Sequence, residues 1–145
     1  MLCAGVTRRA GWKTLDASPE RGADYIATIP PLPEEVKATK WDEIDWIHGI
    51  AALYPWQAEE ALREIRGVLA PDGKLVLEQP DLSRCSTVEW IFGDPTSRDP
   101  LHMNRWGYTP ISLTGLLLRL GFGRIEVLPA QHHHPERDFR VEAYA

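Results

Sequence analysis

Apolar residues recur at helical spacing most clearly in EEALREIRGVLAPDGKLVLEQPDL. Ala58, Leu62, Ile65 and Leu69 fall on one side of a helix and Ala61 and Val68 widen the stripe, while Glu59, Arg63, Glu64 and Arg66 lie outside it. Pro71-Asp72-Gly73 then stops the helix, and Leu75-Val76-Leu77 is the continuous apolar run of a strand buried on both faces. A second helix is predicted where Thr109 offers a capping hydroxyl and Pro110 suits the first position. Leu113, Leu116, Leu117 and Leu120 form its apolar side and Gly121 ends it. ADYIATIPPLP gives a short strand halted by prolines, and WDEIDWIHGI a longer one. RIEVLPA and DFRVEAYA, joined by QHHHPER, predict an antiparallel hairpin at the sheet edge. PEEVKATKWDEID reads as an exposed helical turn. Strands alternating with helices imply a parallel sheet covered by helices.

Composition narrows the classes. With 145 residues the chain is read as one domain, 1–145, and 43% apolar residues with six tryptophans suit a globular core. A net charge of -5 argues against nucleic acid as partner. No stretch approaches the ~20 apolar residues of a membrane span and no signal peptide is recognised. Cys3 and Cys85 form neither a disulfide framework nor a metal knuckle, so a reducing cytoplasm is the expected compartment. The irregular stretch at 83–109 is long enough to read as a substrate or lid loop.

LREIRGVLAPDGKLVLEQPDL resembles the L-x-E-x-x-R-V-L-K-P-G-G-x-L-x-I-x-x-P-D signature of class I S-adenosylmethionine-dependent methyltransferases, the methyltransferase type 11 group in particular. GWKTLDASPERGAD is similar to the GW-x-N-L-D stretch of a branch whose second strand lies almost directly behind the cofactor turn. LHMNRWGYTPISLTGLLLRLGFGRIEV resembles the same branch's H…(T)…L…LL…AGF tail. The matches run in order along nearly the whole chain. The resemblance implies an α/β, Rossmann-like methyltransferase fold: a mostly parallel seven-stranded sheet with an antiparallel last strand. The version is minimal and lacks the first crossover helix, because six residues between Gly5 and Trp12 return only as extended loop. S-adenosylmethionine is the implied cofactor and S-adenosylhomocysteine its product, held at the carboxyl ends of the first strands.

Residue by residue, the resemblance implies that Ala4 and Gly5 form the turn under the methionine part and that Asp16 accepts bonds from both ribose hydroxyls. A carboxylate presents acceptors to a vicinal diol. Thr28 stands where relatives carry an acid near the adenine amine, and His48 and Gly49 line the far side, facing the acceptor. Transfer itself needs chiefly a nucleophile held close to the methyl carbon. An oxygen nucleophile also needs a base, and His48 and His102 are the candidates, because histidine changes charge near neutral pH. The expected function is methyl transfer to a small molecule or glycan precursor. A second reading is a methyltransferase-like binding or assembly module without catalysis. It is motivated by Cys3 at the first position of the L-G-x-G turn and by HGIAA in place of H-x-L-E-H. His132-His133-His134 does not predict a metal site, since adjacent histidines on a hairpin tip do not converge on one ion. Without the first helix, one sheet face by the first two strands is expected to be apolar and to self-associate.

Overall fold

A computed structural model of the chain describes residues 9–145. In chain order it forms β1 (Leu15–Asp16), β2 (Tyr25–Ile26), α1 (Glu34–Lys37), β3 (Trp41–Ile47), α2 (Pro55–Val68), β4 (Leu69–Pro80), α3 (Val88–Phe92), α4 (Pro110–Arg119), β5 (Ile125–Pro129) and β6 (Asp138–Tyr144). β1 and β2 pair in parallel as a two-stranded sheet, and the other strands form a four-stranded sheet in the order β3-β4-β6-β5. β3 and β4 are parallel, and β6 runs antiparallel to both its neighbours.

The seven-stranded sheet is therefore corrected to two smaller sheets among the described residues. β1 and β2 are two residues each, joined through a 3-10 turn at Pro19–Arg21, and are too short to extend a long ladder. The expected first strand, with Cys3, Ala4 and Gly5, lies outside the described residues. The antiparallel last strand is as expected, and so is the hairpin at the sheet edge: β5 is the edge strand, and β6 lies between it and β4. The cause is apolar content. Phe139, Val141 and Ala143 of β6 are all buried, whereas Glu126 and Val127 of β5 are exposed.

α2 carries the predicted stripe, with Ala58, Ala61, Leu62, Ile65 and Val68 buried. Its end differs from the sequence reading. Leu69 already turns extended (φ -65°, ψ 142°) and pairs with Trp41, so the helix stops at Val68 and Pro71-Asp72-Gly73 becomes a bulge within β4. A side chain at Gly73 would put its Cβ 2.8 Å from the Ala70 carbonyl oxygen and 2.9 Å from that of Trp41, so only glycine fits there. α4 matches its prediction: Thr109 Oγ1 accepts the Ser112 N–H at 3.2 Å, and Gly121 follows in the left-handed region.

The helices cover one face only. Every buried side chain of α1, α2 and α4 belongs to a single cluster with Ile44, Trp46, Leu75, Leu77, Phe139, Val141 and Ala143 of the sheet. Strand side chains alternate in direction, so Glu43, Asp45, Lys74, Val76, Glu78, Arg140 and Glu142 face the other way. There the side chains form a ladder of ion pairs. Lys74 Nζ lies 3.6 Å from Glu43 and 3.2 Å from Glu142, and Arg140 lies 2.8 Å from Glu142 and 3.4 Å from Glu78. The apolar, self-associating face expected by the first two strands falls partly outside the described residues. Thr14 and Asp16 are buried and polar there, with Ile26 the exposed apolar residue.

The long connection after β4 is more ordered than its irregular sequence suggested. Asp81 bridges Tyr108, closing its base, and α3 and a 3-10 turn at Pro100–His102 lie between. Gly93 (φ 99°) lets the two halves touch, since a Cβ there would stand 2.3 Å from the His102 carbonyl oxygen.

Candidate functional site

The carboxyl ends of β1, β2, β3 and β4 carry most of the residues singled out in the sequence. Asp16 ends β1 and is buried; its Oδ1 accepts the Ser18 N–H at 2.9 Å and its Oδ2 lies 3.8 Å from Arg21. Thr28 is exposed two residues beyond β2. Ala4 and Gly5 are outside the described residues. Gly49 is buried just after β3 and leads into a 3-10 turn at Ile50–Ala52.

His48 occupies the left-handed region (φ 57°), unusual for a side chain of its size. Its N–H donates to the Glu78 carbonyl at 2.7 Å, continuing the β3–β4 ladder past the strand end. Its Nε2 lies 2.6 Å from Oδ2 of Asp138, a wholly buried carboxylate at the start of β6. Arg137 Nε donates to the other oxygen at 2.5 Å. Burial alone would raise the Asp138 carboxyl, but the bonds from His48 and Arg137 outweigh it and hold the group well below the usual carboxylate range. An ionised Asp138 only accepts, so the His48 nitrogen that faces it, Nε2, donates.

The histidine run joins this network. His132 Nδ1 is 2.5 Å from Glu78 Oε2, and the His132 N–H reaches Oε1 of the same carboxylate at 2.8 Å. His133 packs on His48 with ring centroids 4.3 Å apart, and His134 pairs with Glu136 at 3.3 Å. Burial and the adjacent His48 push the His133 imidazole down. Burial would raise Glu78, but its bonds from the His132 ring and the two turn N–H groups bring it down overall. Among the described residues no group of three or more His, Cys, Asp or Glu is arranged to hold a metal ion, and no helix is long and apolar enough to cross a membrane.

His102 belongs to a different network. Its Nε2 is 2.9 Å from Arg21 Nη2, and its Nδ1 is 3.3 Å from Ser97 Oγ. Guanidinium has no acceptor, so His102 accepts from Arg21, which also faces Asp16. Two sequence candidates, Asp16 and His102, thus meet through Arg21, and neither joins His48. Further along the loop, the N–H groups of Arg105 and Trp106 both donate to the Ala51 carbonyl, tying the loop to the segment after β3. A small cleft opens there between Ala51, Pro80, Cys85, Trp90 and Trp106. Arg137 lies over the Trp90 ring at 5.8 Å, so one cleft wall adjoins the Asp138–His48 pair.

Sequence reasoning missed Asp138, Arg137, Glu78 and Arg21. Asp138 is 90 residues from His48 and Glu78 is 54 from His132, so local pattern carries no trace of either pairing.

No protein-family model matches the chain, and no curated protein matches it. Solved structures do. A SAM-dependent methyltransferase from Archaeoglobus fulgidus aligns with a TM-score of 0.66 at 16% identity, over 91% of this chain and 75% of that one. A SAM-dependent methyltransferase from Thermotoga maritima gives 0.63 at 17% identity, over 90% and 72%. The glycopeptide N-methyltransferase MtfA, solved with S-adenosylmethionine bound, gives 0.61 at 16%, over 98% and 78%. These likenesses show the fold: the chain has the Rossmann-like fold of the S-adenosylmethionine-dependent methyltransferases, in truncated form.

Proposed function

We propose that this chain binds S-adenosylmethionine and transfers its methyl group to a hydroxyl or amine of a small molecule, with Asp16 at the ribose and His48 as base. The observation that carries the reading is the arrangement at the strand ends. A buried acceptor-only carboxylate ends β1, and an imidazole fixed by a second buried carboxylate follows β3, on a fold whose neighbours include one solved with S-adenosylmethionine.

The residues fit the cofactor. A carboxylate matches the two donors of a ribose diol, and it stands where open α/β sheets receive ligands. Thr28 supplies a hydroxyl beside the adenine, and Gly49 lets backbone approach without a side chain. When bound, S-adenosylmethionine supplies an electrophilic methyl group whose bonding electron pair remains on sulfur. His48 Nδ1 takes the proton that the acceptor gives up as its oxygen or nitrogen gains the methyl. His102 acts through Arg21, drawing the loop at 83–109 toward Asp16.

Calorimetry tests this. Saturable binding of S-adenosylmethionine and S-adenosylhomocysteine is expected, weakened at least about tenfold, or 1.4 kcal/mol, in Asp16→Asn. Absence of binding of either at millimolar ligand overturns the enzyme reading and leaves the non-catalytic assembly module.

A further inference from the structure

We propose that Asp138 is a positioning residue that fixes which nitrogen of His48 takes the proton, and that the histidine run before β6 holds this arrangement together. The inference rests on His48 being the base of the proposed reaction.

Residues 131–137 connect β5 to β6, and both ends of the connection are fastened to β4. At its start, Glu78 Oε1 accepts the N–H groups of Gln131 and His132, and Glu78 Oε2 takes the His132 ring. At its end, the Asp81 N–H donates to the Arg137 carbonyl at 3.0 Å, and the Arg137 and Asp138 N–H groups donate to the His134 carbonyl at 2.9 and 2.7 Å. Between these fastenings His133 covers one face of the His48 ring and Asp138 reaches its Nε2. His48 is thus gripped from two directions by one residue of β4: the Glu78 carbonyl receives its N–H, and the Glu78 side chain holds the turn that meets its ring.

The charged groups around His48 agree on the outcome. Asp138 is wholly buried; Arg137 donates to both its oxygens, Nε to Oδ1 and Nη2 to Oδ2 at 3.1 Å, and His48 meets Oδ2 at the shorter 2.6 Å, where an ionised carboxylate accepts only from the Nε2–H form. His133 meets the His48 ring through a tilted ring contact and leaves that choice to Asp138. The His48 side chain keeps 27% of its surface exposed, so the ring is accessible while Nε2 is occupied. Behind His48 stand a buried carboxylate, a guanidinium paired with it and a second carboxylate under the turn. Together they bias the two tautomers, because a bond to an ionised partner strongly outweighs a neutral one.

Nitrogen NMR on uniformly ¹⁵N-labelled full chain, without cofactor or acceptor, reads the tautomer directly. In the native protein at pH 8 the His48 ring is expected as Nε2–H over Nδ1–H by more than about tenfold. In Asp138→Asn the ionised acceptor beside Nε2 is lost, and the excess of Nε2–H falls at least severalfold. Glu78→Gln keeps an acceptor for the turn but loses the charge facing His132, and lowers the bias without inverting it. A native His48 carrying its proton on Nδ1, or an Asp138→Asn spectrum with the native ratio of tautomers, overturns the proposal. If Asp138→Asn does not fold, the native spectrum still decides. Failure to bind S-adenosylhomocysteine would remove the methyltransferase reading but leaves the tautomer measurement unaffected.

Discussion

The two faces of the four-stranded sheet share the same strands and have opposite chemistry. Toward α2 and α4 stand Trp46, Leu75, Leu77, Phe139 and Val141; one residue along stand Asp45, Val76, Glu78, Arg140 and Glu142, and both sets are buried. On the helical face each apolar group removed from water contributes on its own, at about 1.5–3 kcal/mol per large side chain. On the other face a charge stabilises only while its partner stays, since desolvation of an unpaired ion exceeds what it gained. Burial measures the same thing on both faces but does not mean the same thing energetically. The helical face degrades with lost volume, and the ladder fails with lost partners.

The largest effect is expected from breaking the ladder at its centre. Arg140→Met leaves Glu78 and Glu142 facing each other's side of the sheet without their shared cation, and should cost about 3–5 kcal/mol in urea unfolding. Arg140→Met combined with Glu142→Gln should cost less than the sum of the two single variants, by about 0.5–3 kcal/mol; additive costs would dissolve the contrast between the faces. On the helical face, Leu62→Ala removes a fully buried side chain of α2 and should cost about 3 kcal/mol, with no dependence on its charged neighbours.

Asp45 sharpens the contrast by pH. Burial first, then the neighbouring Glu43, raises its carboxyl from the ordinary 3.8 to about 6, against a smaller opposing pull from Arg9. The folded chain therefore binds this proton more tightly than the unfolded one, so stability from this group falls as pH rises from about 4 to about 6, by up to about 3 kcal/mol. Asp138 and Glu78 have the opposite sign: held low, they stabilise above the ordinary carboxylate range, and that stability is lost as pH falls below it. Thermal unfolding of Asp45→Asn between pH 4 and 7 should be flatter than that of the native chain. The smallest effect tests a boundary common to neither face: Thr109→Ala removes the α4 cap and should cost about 1 kcal/mol.

The sequence made the helical face readable because its signals are local. The α2 stripe repeats within one helix, and Thr109-Pro110 announces α4 in two residues. Only its end was misread, since the competing pull on Leu69 is its pairing with Trp41 across the sheet. The ladder was not readable. Lys74, Glu78, Arg140 and Glu142 look like solvated strand positions until β4 and β6 are set side by side, 62 residues apart at Arg140 and Glu78. The site divides the same way. Asp16, His48 and Gly49 came from the family resemblance, each at or just past a strand end, whereas Asp138 and Arg21 meet partners distant in sequence. Ala4 and Gly5 lie outside the described residues.

The interior position of β6 sets an order of events. It is the last strand in chain order, yet it supplies the middle of the sheet, pairing with β4 along seven residues and with β5 along five. Until it docks, β4 and β5 are two exposed edges, and contacts of such long sequence separation form late. The same docking delivers Asp138 to His48. The sheet and the Asp138–His48 pair are therefore completed together, and a chain caught short of that holds an imidazole with no carboxylate behind it.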